Sequence, residues 1–170
     1  TSDFVIPVLE TLQKKNWLVG VVTAPTLTPS PVNKFLQSLQ GDALQYCKAS
    51  PCLTPEKLDQ ETVRQLQQLQ PDLFVLASYG RMLPQEILDI PKFGSLNIHP
   101  SLLPRYRGPS PIPEAILNGD KTSGVVIIKM DKEMDHGPII YAKEITLSDN
   151  DTFQTIKKKM FEVGAADLVK

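Results

Sequence analysis

Three short apolar runs, separated by segments with helical periodicity, constrain the fold of this chain more than any other feature. They are WLVGVVT at 17–23, LFVLAS at 73–78 and GSLNI at 94–98. Each is a nearly continuous aliphatic run rather than an alternation, which is typical of strands that are buried on both faces. Because helical segments alternate with these runs, the chain predicts an α/β fold: a Rossmann-like, mostly parallel twisted sheet with helices on both faces.

Capping residues and apolar spacing predict the other elements. The longer helices are predicted over 2–15, 54–70 and 151–169, capped by Ser2, by Thr54 before Pro55, and by Asp151 or Thr152. Shorter helices are predicted over 32–39, 84–88 and 112–117, and a short strand over 43–47. The last third changes character, because the strands 124–130 and 138–145 flank a loop of about seven residues. This pattern predicts an antiparallel C-terminal extension of the sheet.

Length, charge and composition exclude several classes of function. A chain of 170 residues predicts a single domain, and its net charge of −1 is unlike that of a stand-alone nucleic-acid-binding protein. The two cysteines, Cys47 and Cys52, fit no common zinc spacing, and only His99 and His136 are available beside them. We therefore expect no metal and reduced thiols. No apolar run approaches the ~20 residues of a membrane span, so a cytoplasmic monomer without membrane contact is expected.

Asn97 and His99 are the first candidate site. They are two residues apart at the end of a predicted strand, so their side chains point to the same face. Ligands of parallel sheets bind beyond the carboxyl ends of the strands. An amide and an imidazole at such an end can stabilise an oxyanion and move a proton. The spacing alone also fits a capped strand end with a surface histidine.

Charged residues in two loops are further candidates. Asp135, in DKEMDHG, could hold an imidazole in its protonated form, although aspartate is also common in turns. Its neighbour Glu133 is expected to be solvated, and the side chain of His136 is expected to point elsewhere. Arg105 and Arg107 could either bind an anion or stabilise their own loop. The chain contains neither a nucleophile motif nor a glycine-rich nucleotide motif.

Several longer stretches carry a family resemblance. They are SLNIHPSLLPRYRG and GPSPIPEAILNGDKTSGVVIIKMDKEMDHGPII, with SDFVIPVLETL near the start, SYGRMLPQEIL in the middle and PSPV after the first loop. In these stretches the chain resembles the folate-dependent formyltransferases, and the resemblance covers nearly the whole chain in order. It implies the formyltransferase fold and 10-formyltetrahydrofolate as the formyl donor, acting on an amine acceptor.

The resemblance also implies roles for individual residues. The family's catalytic Asn-x-His and later Asp match Asn97, His99 and Asp135. The pterin pocket of the donor matches two backbone stretches, and the SLLPRYRG loop borders the cleft. The donor-binding residues implied in this way are Arg81, Met82, Leu83, Ser101, Leu102, Leu103, Pro104, Lys132, Glu133 and Met134.

The acceptor is the least determined part of this prediction. The stretches PSPV and DFVIPVLETL favour the branch of the family that formylates the amino group of initiator methionyl-tRNA and contacts the tRNA acceptor end. The alternatives are a sibling that formylates a sugar amine or glycinamide ribonucleotide, and a folate-binding module without activity. An inactive module would be free to lose Asn97, His99 and Asp135, and this chain keeps all three.

Three departures from the family pattern lead to further expectations. The whole chain, 1–170, is expected to be a catalytic domain whose first strand precedes Thr1 and is missing. The short loop at 24–28 is expected to hide a gap where relatives carry a longer basic loop. A C-terminal tRNA-binding domain is expected to be absent from this chain. In addition, His136 stands where small residues or threonine are more usual.

Overall fold

The strands form two sheets in the computed structural model, which describes residues 3–25, Tyr46 and 50–170. The strands are β1 (Val21–Val22), β2 (Cys52–Leu53), β3 (Phe74–Leu76), β4 (Ser95–His99), β5 (Thr122–Lys129) and β6 (Ile139–Thr146). The parallel pair β1–β2 forms one sheet, and the other has the order β3-β4-β5-β6. β3 and β4 are parallel, whereas β4–β5 and β5–β6 are antiparallel. The α/β class and the antiparallel C-terminal extension are therefore confirmed.

Helices cover both faces of the larger sheet. They are α1 (Ile6–Lys14), after a 3₁₀ turn at Asp3–Val5, α2 (Gln60–Gln68), α3 (Gln85–Leu88), α4 (Pro111–Leu117) and α5 (Phe153–Asp167). Phe74 packs against the apolar cluster of α2 and α3, whereas the next residue, Val75, packs against the cluster that contains residues of α1, α4 and α5. Because successive strand residues point to opposite faces, the two clusters lie on opposite sides of the sheet.

α5 packs unusually close to the sheet at Gly164. A Cβ atom on this glycine would lie 2.6 Å from Cγ2 of Ile98 on β4 and 3.2 Å from Cγ2 of Val125 on β5. Such separations are shorter than a carbon–carbon contact allows, so a larger residue would push the helix away from the strands. Glycine at this position therefore sets the distance between α5 and the strand that carries Asn97 and His99.

The helix predicted over 54–70 begins later than expected, at Gln60. The carboxylate of Asp59 accepts a hydrogen bond from the backbone N–H of Thr62 at 3.2 Å, and this bond caps the helix. The prediction that Thr54 is the cap is therefore wrong. The final helix is confirmed, with a capping box at Thr152.

The first apolar run forms less of a strand than predicted. Only Val21 and Val22 are in β1, and Trp17 and Val19 are 57% and 50% exposed. The prediction of a buried strand is wrong for 17–20, because the parallel pairing with β2 begins at Val21. Cys52 is disulfide-bonded, so the expectation of reduced thiols is wrong for that residue. The Ser2 cap, the helix at 32–39 and most of the strand at 43–47 lie outside the described residues.

Candidate active site

A cavity of about 400 Å³ opens at the carboxyl ends of β3 and β4. It lies where a sheet of this kind is expected to bind its ligand, because the loops that follow neighbouring strands diverge there. Its walls come from 78–83 after β3, 97–100 at the end of β4, the segment 108–113, the loop 130–135, and Phe153, Lys157 and Phe161 of α5.

Asp135 connects the residues that the sequence singles out. Its Oδ1 accepts a hydrogen bond from Asn97 Nδ2 at 3.1 Å, and its Oδ2 accepts one from the Gly108 N–H at 2.9 Å. The same Oδ2 lies 3.5 Å from His99 Nδ1. The structure therefore brings Asn97, His99 and Asp135 together around one carboxylate, although Asp135 follows Asn97 by 38 residues.

His99 is held at both ring nitrogens. Nε2 lies 2.9 Å from the carbonyl oxygen of Tyr106, and since a carbonyl can only accept, Nε2 is the donating nitrogen. Nδ1 then faces the carboxylate of Asp135, to which it donates when the ring is protonated. The side chain is only 5% exposed, so these two contacts fix the orientation of the ring.

The backbone at this site adopts conformations that most residues avoid. Asp135 has φ 48° and Tyr106 has φ 57°, both in the left-handed region, and neither is glycine. Each of these residues contributes a group that contacts His99. Strained backbone of this kind persists only where the surrounding structure holds it, and it clusters at functional sites.

A polar network holds the loop that carries Tyr106. The Tyr106 hydroxyl donates to Asp120 Oδ2 at 2.8 Å, and Arg105 Nη2 donates to both oxygens of the same carboxylate. The hydrogen bond from Tyr106 and the guanidinium of Arg105 hold the pKa of Asp120 below its ordinary value. Of the two roles considered for Arg105, the contacts favour loop stabilisation. Arg107 is exposed.

Half of the ten donor-binding residues implied by the family resemblance line the cavity. These are Arg81, Met82, Leu83, Glu133 and Met134. The guanidinium of Arg81 is occupied, because it donates to the carbonyls of Pro55 and Glu56 at 3.0 and 3.1 Å. Arg81 therefore contributes its backbone and side-chain stem to the wall while it anchors the segment before α2.

The other five implied residues are not part of the cavity wall. They are Ser101, Leu102, Leu103, Pro104 and Lys132. Ser101 is fully buried and donates to the Arg105 carbonyl at 2.7 Å, and Leu102 lies against Gly124. These two residues hold the loop at 101–108 against the body of the protein instead of lining the cavity.

The loop that carries Asp135 has its own internal contacts. His136 Nδ1 lies 2.9 Å from Asp131 Oδ2, on the surface, so its side chain points away from His99 as expected. The hydrogen bond with His136 is the largest cause of a lowered Asp131 pKa, followed by the N–H of Glu133. Glu133 is 61% exposed, although it borders the cavity.

Several residues at the site escape sequence reasoning. Gly108 and Tyr106 act through backbone groups, which every residue type offers, so no side-chain pattern marks them. Tyr79 lines the cavity, and its buried Oη has no hydrogen-bond partner among the described residues. A buried hydroxyl without a partner is costly and is satisfied when a ligand supplies one. Ser110, Asp131 and Lys157 are further polar residues of the wall that were not predicted.

No group of three or more His, Cys, Asp or Glu side chains in the described part of the chain is placed to hold a metal ion. No helix among the described residues is long and apolar enough to cross a membrane.

The chain is similar to known proteins in both sequence and structure. The chain is 36% identical over 171 residues to methionyl-tRNA formyltransferase of Thermodesulfovibrio yellowstonii, covering 100% of this chain and 56% of that protein. It is 40% identical over 179 residues to methionyl-tRNA formyltransferase of Staphylococcus aureus, covering 100% of this chain and 54% of that protein. The chain thus spans about half the length of the curated relatives it matches.

A solved structure supports the same relationship. Phosphoribosylglycinamide formyltransferase from Bacillus halodurans superimposes with a TM-score of 0.73 at 27% identity, covering 98% of this chain and 87% of that one. The sequence matches the Formyl transferase family from residue 1 to residue 170. With the family match extending over every residue, and with Asn97, His99 and Asp135 assembled in one cavity, this chain belongs to the formyl transferase family.

Proposed function

We propose that this chain transfers a formyl group from 10-formyltetrahydrofolate to the amino group of initiator methionyl-tRNA, for translation initiation. The observation that carries the proposal is the Asp135 carboxylate, which contacts Asn97, His99 and the Gly108 N–H at the end of β4. Relatives that bear the name methionyl-tRNA formyltransferase, at 36 and 40% identity, support the choice of acceptor.

The reaction makes one carbon–nitrogen bond and breaks another. The nitrogen of the free amine attacks the formyl carbon on N10 of the donor, and the π electrons of the formyl group move to its oxygen. The tetrahedral intermediate then collapses, the bond between carbon and N10 breaks, and N10 takes a proton. The amine loses one proton in the same sequence, so the balance requires a base and an acid but no metal or redox partner.

We assign the stabilisation of the oxyanion to Asn97 and His99. One amide hydrogen of Asn97 is directed to Asp135, which leaves the second hydrogen for the substrate oxygen. His99, held between Tyr106 and Asp135, carries its positive charge beside the carboxylate when it is protonated. The removal of one such donor typically lowers the rate ~10²–10³-fold.

Asp135 has a second role in this proposal. Its carboxylate is 11% exposed and belongs to the cavity wall, so a water molecule can connect it to the attacking amine. We assign it the amine proton, taken through that water. The two functions are compatible, because a carboxylate offers about four lone pairs, and Asn97, Gly108 and a protonated His99 use three of them.

The donor fits the part of the cavity formed by the loops after β3 and β5. Met82 and Leu83 supply apolar surface there, and Met134 adds more from the other loop. The buried Oη of Tyr79 is a free hydrogen-bonding group in the same wall. An apolar slot with a few polar groups suits the flat pterin ring of a folate.

The decisive measurement is the release of tetrahydrofolate from 10-formyltetrahydrofolate, with and without methionyl-tRNA. Release that depends on the charged initiator tRNA supports the proposal. If release occurs only with another amine, the acceptor is wrong and the chemistry stands. If the donor binds but nothing is released with any acceptor, the chain is a folate-binding module and the proposal fails.

The second candidate acceptor is glycinamide ribonucleotide. It is favoured by the similarity to the Bacillus halodurans phosphoribosylglycinamide formyltransferase, which superimposes on 98% of this chain. The same assay with this acceptor, or with an amino sugar, discriminates the candidates, because tetrahydrofolate is released only when the correct amine is supplied.

A further inference from the structure

The cavity has two halves, which lie on different faces of β4. Asn97 and His99 point to one face, and Ile98, between them, points to the other, where it packs in the same cluster as Phe161 of α5. We call the part formed by the loops after β3 and β5 the donor half. We call the part lined by Ile98, Ile112, Phe153, Lys157 and Phe161 the helix half.

One stripe of α5 lines the helix half. Phe153, Lys157 and Phe161 follow one another at intervals of four residues, which places them on one side of the helix. Phe161 is buried and Phe153 is 38% exposed, so the stripe runs from the interior to the mouth of the cavity. Lys157 lies between them and is half-buried.

Lys157 differs from the two lysines that follow it. Lys158 Nζ lies 3.9 Å from Glu162 at the surface, and Lys159 Nζ donates to the Thr146 carbonyl at 3.2 Å. Lys157 has neither kind of contact with any described residue. Its Nζ lies 4.5 Å from the ring centroid of Phe4 and 5.4 Å from that of Phe153.

This environment leaves the lysine with unused binding capacity. Aromatic rings attract a cation but do not accept its three N–H donors as an oxygen would. Burial lowers the pKa of Lys157, because the surrounding apolar groups replace water around the charge. An anion that entered the helix half would supply both the missing acceptors and the missing charge.

The charges around the cavity are divided between the two halves. The carboxylates of Asp131, Glu133 and Asp135 all come from the loop of the donor half. In the helix half, the described lining residues are apolar except for Lys157, which is charged. Arg81 also lines the donor half, but its guanidinium is engaged by the carbonyls of Pro55 and Glu56. An anionic group is therefore favoured beside Lys157 rather than beside the three carboxylates.

We propose that Lys157 binds a phosphate of the amine acceptor and so places the amine opposite the donor. The inference rests on the proposed function only in requiring an acceptor with a phosphate. Both the acceptor end of tRNA and glycinamide ribonucleotide carry one. Lys157 is then a binding residue of the helix half, distinct from Asn97, His99 and Asp135.

The test uses the full chain and three variants. Lys157→Met removes the charge at nearly constant length, Lys157→Arg keeps the charge, and Lys158→Met makes the same change one residue away at a surface position. KM for the acceptor, KM for 10-formyltetrahydrofolate and kcat are measured for each, after circular dichroism has shown that each variant is folded.

Lys157→Met is expected to raise KM for the acceptor about 10-fold. This value is the lower end of the range for losing a hydrogen bond to a charged group, and it is chosen because the lysine is half-exposed. KM for the donor and kcat should change less than twofold. Lys157→Arg and Lys158→Met should resemble the wild type. With methionyl-tRNA, the slope of log KM against log salt should fall by about 0.7 for one single-stranded phosphate contact, a change that lost packing alone would not produce.

Three results would overturn the inference. If only KM for the donor rises, Lys157 binds the carboxylates of the folate tail instead. If neither KM changes, or Lys158→Met has the same effect, the lysine only packs on its two rings. Failure of the proposed function is separate, since it appears as a wild-type chain that does not formylate methionyl-tRNA; the three variants are then compared with glycinamide ribonucleotide as acceptor.

Discussion

Replacing Asp135 with asparagine separates the charge of this side chain from its shape. The carboxylate accepts from Asn97 at Oδ1 and from the Gly108 N–H at Oδ2, which also faces His99 at 3.5 Å. An amide has one acceptor oxygen, so one of these two bonds must be lost or reversed. Asparagine tolerates the left-handed backbone at φ 48° about as well as aspartate does, so the loop keeps its path.

The magnitudes follow from these contacts. If the new oxygen accepts from Gly108, the new NH₂ group faces Asn97, whose own amide can turn to accept from it. One charge-assisted bond becomes a neutral one, and the other is replaced, so the free energy of unfolding should fall by about 2 kcal/mol. The rate should fall much further, ~10²–10³-fold, because the variant loses the carboxylate that is assigned the amine proton.

The assay is the spectrophotometric release of tetrahydrofolate at saturating donor and acceptor, with urea denaturation of the same preparations. Asp149→Asn is the matched control, because Asp149 is 85% exposed and Lys121 is its ion-pair partner among the described residues. It should leave kcat unchanged and alter stability by less than about 0.5 kcal/mol. A folded Asp135→Asn variant with kcat within threefold of the wild type would refute the role given to the carboxylate.

Two further predictions concern stability. The pKa of Asp120 is lowered chiefly by the hydrogen bond from Tyr106, so the bond stabilises the fold above the ordinary pKa of 3.8 and is lost as the pH falls through the lowered value. In thermal unfolding between pH 3 and 7, the wild type should therefore exceed Asp120→Asn most at neutral pH; a difference that grows in acid would contradict this sign. Gly137→Ala would place a Cβ 1.8 Å from the Lys129 carbonyl oxygen, so overpacking should lower the free energy of unfolding by about 1–3 kcal/mol. An unchanged urea midpoint for Gly137→Ala would show that the loop before β6 shifts freely.

The sequence predicts the strand end of the site well. The period of a strand places Asn97 and His99 on one face without further information, and the structure agrees. Spacing could not assign Asp135 to them, because the loop between two antiparallel strands can lie in many ways. Only the family resemblance connected the three residues before the structure did.

The contacts that fix His99 could not be read from side chains. Its Nε2 partner is the carbonyl of Tyr106, and Asp135 is held by the N–H of Gly108. Both are backbone groups whose positions depend on the left-handed turn at 106 and on the loop around it. Patterns of residue type carry no information about such groups.

Local capping signals also failed to predict where α2 begins, because contacts between distant residues decide which cap is used. Thr54 before Pro55 and Asp59 are both good helix caps, and propensity does not rank them. The bonds from Arg81 to the carbonyls of Pro55 and Glu56 hold this segment outside the helix, so Asp59 becomes the cap. In each bond the two partners are separated by 25 or 26 positions in the sequence, which is beyond the reach of a local pattern.

The close approach of α5 to β4 has a consequence for engineering. Because Ile98 packs tightly against Gly164, α5 and β4 behave as one rigid unit. This unit carries Asn97 and His99 on the strand and Lys157 on the helix. Residues 153 and 157 can then be redesigned for a new acceptor while the reacting groups stay in place. A larger residue at 164 would instead widen the spacing of the two halves and misalign every acceptor at once.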